Sequence, residues 1–222
     1  MACPHIVFDL DGTLVDSLPG IAEGVRQSLL AMQRPAPTPQ QVRGMIGRGA
    51  RDLCAQALGY DSVQHTPPDL LDTLYTHFCR IYPHCWQGEL TRPYPGIPAL
   101  LQQLCSAGSR LAVLSNKPHA VTLPMVQALF PTIPFNPIMG HTGQFPRKPA
   151  PDALLHIADS WQVAPADITL VGDSLYDART AQAAGCRLVL VGWGYAQLPA
   201  LLDTGAPLAH SVPELCRLLG LA

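Results

Sequence analysis

The chain has 222 residues, 48% hydrophobic and 14% charged, which is enough apolar material for one large domain or a domain with an insertion and argues against disorder. Its 18 glycines and 23 prolines stay below the share expected of a low-complexity chain. A formal charge of −2 with no run of basic residues gives no electrostatic footprint for nucleic acid, whereas a small anionic substrate needs only local positive charge.

The predicted elements alternate between strand and helix. His5–Asp9, Arg110–Ser115, Ile168–Gly172 and Cys186–Val191 are short Val, Ile and Leu-rich runs of the kind found in buried parallel strands. Ile97–Ala107, stopped by Gly108, and Tyr176–Ala184, stopped by Gly185, have helical spacing. This order predicts an α/β fold with a doubly wound, mainly parallel sheet. Roughly 100 residues separate the first two strands, far more than a crossover of about a dozen requires. The readable elements there are helices: Leu18–Gln33 after a candidate N-cap at Ser17, Pro39–Met45 after Thr38, Ala50–Leu58 and Asp69–Tyr82. An inserted helical cap over 17–90 is expected, with the core formed by 1–16 and 91–222.

Seven cysteines, an odd number with no CxxC pair, read as reduced and mostly buried thiols of a cytoplasmic protein. Carboxylates within a dozen residues of the start argue against a signal peptide. No apolar run approaches the roughly 18 residues of a membrane span, so no membrane partner is expected.

Candidate chemistry gathers at strand ends. Asp9 closes the first strand and Asp11 follows in a turn opened by Gly12; Asp173 closes a later strand. All three fall at the carboxyl edge of the sheet, where α/β proteins bind ligands. Clustered carboxylates repel without a cation, and oxygen-only donors select a hard ion, Mg²⁺ foremost. Two unit charges 4 Å apart interact by about 4 kcal/mol at an effective dielectric of 20. An aspartate attacking a phosphate dianion therefore needs a metal ion and a lysine on the phosphoryl oxygens. The chain has twelve Arg and only two Lys, Lys117 in LSNKP and Lys148 in RKPAPD, which marks both as candidates.

DLDGTLVDS (9–17), LSNKP (114–118), KPAPD (148–152) and VGDSLYDARTAQAAG (171–185) resemble, in order and spacing, the four motifs of the haloacid dehalogenase-like hydrolases. Residues 93–118 look like the phosphoglycolate phosphatase branch. The resemblance implies a Rossmann-like core and a Mg²⁺-dependent phosphatase acting on a small phosphorylated metabolite, 2-phosphoglycolate above all, with an aspartyl-phosphate intermediate. It implies Asp9 as nucleophile and Asp11 as general acid and base, with Ser115 and Lys148 on the transferring phosphoryl. Asp9, Asp173 and the backbone carbonyl of Asp11 would bind the metal, with Asp177 behind them. Thr13, Asn116 and Arg48 are expected to contact the substrate.

IGRGARDL (46–53) resembles the loop by which this branch presents cap residues to substrate; Arg48 there is placed to meet a carboxylate, Arg51 less so. Gly47 and Gly49 do not form a dinucleotide fingerprint, because the third glycine and the preceding strand are missing. The eight histidines form no metal-binding pattern, and Trp193 and Tyr195 in VGWGYA are expected to pack the sheet edge. A phosphatase for a phosphosugar, an amino-sugar phosphate or pyrophosphate stays open, as do a phosphosugar mutase and a non-catalytic binding module. A dehalogenase would need neither Asp11 nor Asp173. The chain is expected as a monomer or homodimer.

Overall fold

The computed structural model describes residues 3–221. The chain divides into two compact units, one running up to Val15 and resuming at Pro93, the other Asp16–Arg92.

The first unit begins with β1 (His5–Phe8), and the short β2 (Val15–Asp16) lies at the junction. The second unit contains α1 (Leu18–Ala31), α2 (Pro39–Arg43), α3 (Ala50–Ala57) and α4 (Pro68–Cys85), after which β3 (Arg92–Pro93) marks the other junction. The core then continues through α5 (Ile97–Ser106), β4 (Arg110–Pro118), α6 (His119–Leu129), β5 (Ile138–His141) and α7 (Asp152–Trp161). It ends with β6 (Ile168–Gly172), α8 (Leu175–Ala184), β7 (Arg187–Val191), α9 (Leu198–Leu202), β8 (Leu208–Ala209) and α10 (Val212–Leu218).

Six strands form one parallel sheet in the order β5-β4-β1-β6-β7-β8. Phe8 is in register with Val113 of β4 on one side and Val171 of β6 on the other. Such a sheet is covered on both faces, and its central strands are accordingly apolar throughout; all five residues of β6 are buried. Val7, Ala112, Leu114, Ile168 and Leu170 form one face of the core with Leu154, Ile157 and Trp161 of α7 and Ala181 of α8. The two-residue alternation turns Ile6 and Phe8 to the opposite face.

Within the second unit, α1 and α4 pack closely at Gly24, where a Cβ would stand 3.0 Å from the Tyr82 ring. Phe78 and Tyr82 stack at 5.0 Å beside it. Thr38 caps α2 with a reciprocal capping box through Gln41. Ser17, expected as an N-cap, does not cap α1: its backbone is already helical at φ −103°, ψ −3°, and its hydroxyl accepts no helix N–H. The cysteines also depart from expectation. All seven are free thiols, but only Cys54 and Cys85 are buried, and Cys79 is exposed on α4, a helix whose outward face is polar. Among the described residues no helix is long and apolar enough to cross a membrane.

Leu170 is fully buried in β6 with partners on both sides of its strand. Leu170→Ala removes a core side chain that the sheet cannot collapse around, at an expected cost of about 2–5 kcal/mol read from the denaturant midpoint.

Candidate active site

The sheet order reverses around β1. After β1 the chain builds β4 and β5 on one side, then crosses back to β6 on the other. Crevices at such a switch point, beyond the carboxyl ends of the strands, are where open α/β sheets hold ligands. The residues that follow β1, end β4, follow β5 and follow β6 are the motif residues.

Asp9 lies directly after β1, tied to β6 by its backbone N–H donating to Val171 O at 2.9 Å. Asp173 follows β6, and Asp177 sits in the first turn of α8. Asp9, Asp173 and Asp177 are all buried and offer oxygens within 4.8 Å of one another. A hard cation is matched by this all-oxygen set.

Lys148 enters the cluster from the loop after β5. Its Nζ stands 2.9 Å from Asp9 Oδ1 and donates to Asp177 Oδ1 at 2.6 Å. Asp177 Oδ2 in turn accepts from the backbone N–H and hydroxyl of Ser174 at 3.1 and 2.6 Å, and Ser174 caps α8. Both Asp177 oxygens are thereby engaged in short hydrogen bonds. Asp173 Oδ2 accepts from the backbone N–H of Tyr195 at 2.6 Å.

Asp11 is absent from the cluster. Its two oxygens accept from Lys117 Nζ at 3.0 and 2.9 Å, and both side chains are nearly sealed from solvent. Each lysine of the chain therefore holds a different aspartate of the DLDGT segment. Ser115, buried within β4, accepts from the backbone N–H of Lys117 at 3.3 Å.

Thr13 and Asn116 sit at the same edge but are turned toward protein. The Thr13 hydroxyl approaches Asp173 Oδ1 at a long 3.5 Å. The Asn116 amide bridges the Lys148 backbone, accepting from its N–H at 2.8 Å and donating to its carbonyl at 3.0 Å. Asn116 thus fixes the segment that carries Lys148. Arg48 is exposed in the second unit, between α2 and α3. In that unit Arg51 pairs with Asp72 and stacks over Tyr75, which accounts for its charge locally.

Three glycines, whose role the motifs did not disclose, make room for the carboxylates. A Cβ on Gly12 or Gly194 would lie 2.3 or 2.2 Å from Asp173 Oδ2, and one on Gly172 would lie 2.2 Å from the Asp177 carboxyl carbon. Gly12 also has φ +83°. The signal in the sequence was the small residue between two aromatics in GWGY. Trp193 does pack, its ring 6.2 Å from Tyr94, while its indole N–H donates to Thr13 O at 3.2 Å. Tyr195 contributes its backbone.

Burial pushes the Asp9 carboxyl up to about 7, against the pull of Lys148 and with the repulsion of Asp177. Burial also raises Asp173 well above the usual carboxylate range, with the charges of Asp9 and Asp177 adding to it. For Lys148 burial acts downward, but Asp177 and Asp9 outweigh it and hold the ammonium above its ordinary value. Negative charge is thus in excess. A cavity beside Ser115 and Lys148, walled also by His119, His141 and Arg147, has no acidic residue in its lining.

Residues 6–191 match the family model described as haloacid dehalogenase-like hydrolase, and the chain belongs to that family. It is 33% identical over 190 residues to the phosphoglycolate phosphatase of Nitrosospira multiformis, covering 86% of this chain and 83% of that protein. Over a 234-residue alignment it is 32% identical to the phosphoglycolate phosphatase of Escherichia coli, covering 97% and 92%. The crystal structure of "a predicted phosphoglycolate phosphatase" from Haemophilus somnus superposes with a TM-score of 0.89 at 27% identity, covering 97% of each chain. The chain is a phosphoric monoester hydrolase of this phosphatase-like branch.

Two outcomes follow from the packing and charge of the site. An acid raised in the folded state stabilises the fold fully below its unfolded value, here 3.8, and loses that contribution as pH climbs through about 7. The Lys148 contribution is present at every pH below the ordinary lysine value and does not alter the comparison. Added Mg²⁺ should therefore raise the thermal midpoint more at pH 8 than at pH 5.5, as measured by scanning calorimetry. Gly194→Ala should displace the Asp173 carboxylate and weaken the affinity of the acidic cluster for an added divalent cation by about 10- to 100-fold, read by titration calorimetry.

Proposed function

We propose that the chain hydrolyses a small phosphate monoester, 2-phosphoglycolate foremost, through an aspartyl-phosphate on Asp9. The observation that carries this reading is the charge of the site. Asp9, Asp173 and Asp177 are buried with converging oxygens and have Lys148 as their shared ammonium, while Lys117 serves Asp11, and this surplus of carboxyl groups in an all-oxygen setting favours a divalent cation. The residues fit Mg²⁺, with Asp9 and Asp173 as ligands together with the Asp11 backbone carbonyl. When bound, the ion supplies neutralisation of the phosphoryl oxygens.

An Asp9 carboxylate oxygen forms the new bond to phosphorus as the bond from phosphorus to the leaving oxygen breaks. Asp11, two residues on, gives its proton to that leaving oxygen. In the second half Asp11 takes a proton from water, whose oxygen bonds to phosphorus as the bond to Asp9 breaks and inorganic phosphate leaves. Lys148, beside Asp9, holds the phosphoryl oxygens against the nucleophile, and the Ser115 hydroxyl binds another of them. Thr13 and Asn116 act through the neighbours they hold.

The 2-phosphoglycolate reading rests on the names of the relatives. We assign substrate selection to the helical insertion, with Arg48 as the residue that meets a substrate carboxylate. Seven free thiols favour a reducing compartment, the cytoplasm.

A panel of phosphorylated metabolites, assayed for phosphate release with and without EDTA, tests the reading. Mg²⁺-dependent release greatest for 2-phosphoglycolate is expected, with Asp9→Asn at background and Asp11→Asn slowed by roughly 10²- to 10⁴-fold. Turnover that survives Asp9→Asn or chelation overturns the mechanism, and an isomer formed without free phosphate makes the enzyme a mutase.

A further inference from the structure

We propose that Lys117 is a positioning residue for Asp11, keeping the general acid beside the scissile bond. The inference rests on the assignment of Asp11 above, and goes beyond it by giving the second lysine a separate task. Lys117 Nζ donates to both Asp11 oxygens, at 2.9 and 3.0 Å, while Lys148 serves Asp9 and Asp177. Asp11 is only two residues from Asp9, yet its carboxylate is missing from the group of three whose oxygens converge.

That separation needs a cause. A carboxyl group free to rotate beside three other aspartates presents no fixed oxygen to a leaving group. A buried ammonium donating to both oxygens sets the plane of the carboxyl group. It leaves lone pairs open, because the two oxygens offer more acceptor sites than one ammonium fills.

Lys117 is itself held firmly enough to serve as an anchor. Its backbone N–H donates to Ser115 Oγ at 3.3 Å, and its carbonyl accepts from Thr122 Oγ1 at 3.3 Å. On the other side a Cβ at Gly140 of β5 would lie 2.7 Å from the same carbonyl, so the neighbouring strand abuts it. Only the side chain is left to vary.

A double-mutant cycle separates positioning from general support of the fold. Lys117→Met, Asp11→Asn and the double variant are compared by single-turnover phosphate release from an alkyl phosphate, with folding checked by circular dichroism. Lys117→Met should lower the rate by about 10- to 100-fold in the parent, with KM nearly unchanged, and by less than about threefold in the Asp11→Asn background. Lys117→Arg, which keeps the charge but not the compact head, should give a smaller loss that also vanishes without Asp11. It carries the test if Lys117→Met does not fold. Equal losses in both backgrounds overturn the inference and leave the phosphatase reading intact. Full turnover by Asp11→Asn alone overturns the acid–base assignment itself, and the inference with it.

Discussion

Four aspartates meet two lysines at the carboxyl edge of the sheet, and the rest of the site is arranged around that imbalance. Sequestered carboxylates are tolerated only when paired, ligating a cation or protonated. Lys148 pairs with Asp9 and Asp177, Lys117 with Asp11, and Asp173 has a single backbone N–H and a distant hydroxyl. The upward shifts of Asp9 and Asp173 express the charge that remains. Groups shifted in this way by burial and by one another gather at functional sites more than elsewhere in a fold.

The sheet makes this concentration possible. Parallel strands end on one edge, so residues remote in sequence meet there, and the reversal of strand order at β1 opens a crevice between β4 and β6. Placing the helical insertion between β1 and the returning chain leaves the register of β1 with β4 and β6 intact. The glycines around Asp173 and Asp177 then allow backbone to approach a carboxylate more closely than any Cβ would permit. Polar space is created by omitting side chains rather than adding partners.

Much of this was legible in the sequence because central parallel strands are continuous apolar runs. The expected ranges for β1, β6 and β7 fall within one residue of those observed. β4 runs three residues beyond its expected end, through Asn116, Lys117 and Pro118, with an irregular register against β5; polar residues and a proline there masked the strand. β5 and β8 gave no signal. IMGH is half-buried and contains a glycine and a histidine, and Leu208–Ala209 is two residues long, so neither carries a periodicity. In the site, the motifs exposed the acids and Lys148. The glycine cradle and the Asn116 brace stayed hidden, because close approach and backbone bridging are properties of packing that no spacing encodes.

The scarcity of lysine acquires a physical meaning in the same geometry. Lys148 places one nitrogen between Asp9 and Asp177 at 2.9 and 2.6 Å with almost no solvent access. A guanidinium delivers its donors from a wide planar fork and would force the two carboxylates apart or leave donors without acceptors in a sealed space. Lys117 meets both oxygens of one carboxylate, a geometry that a fork could also satisfy. Where room and solvent are available, as at Arg51 over Tyr75, the chain uses arginine. The choice of cation therefore follows the shape of the site most clearly at Lys148, where one nitrogen serves two carboxylates in a sealed space.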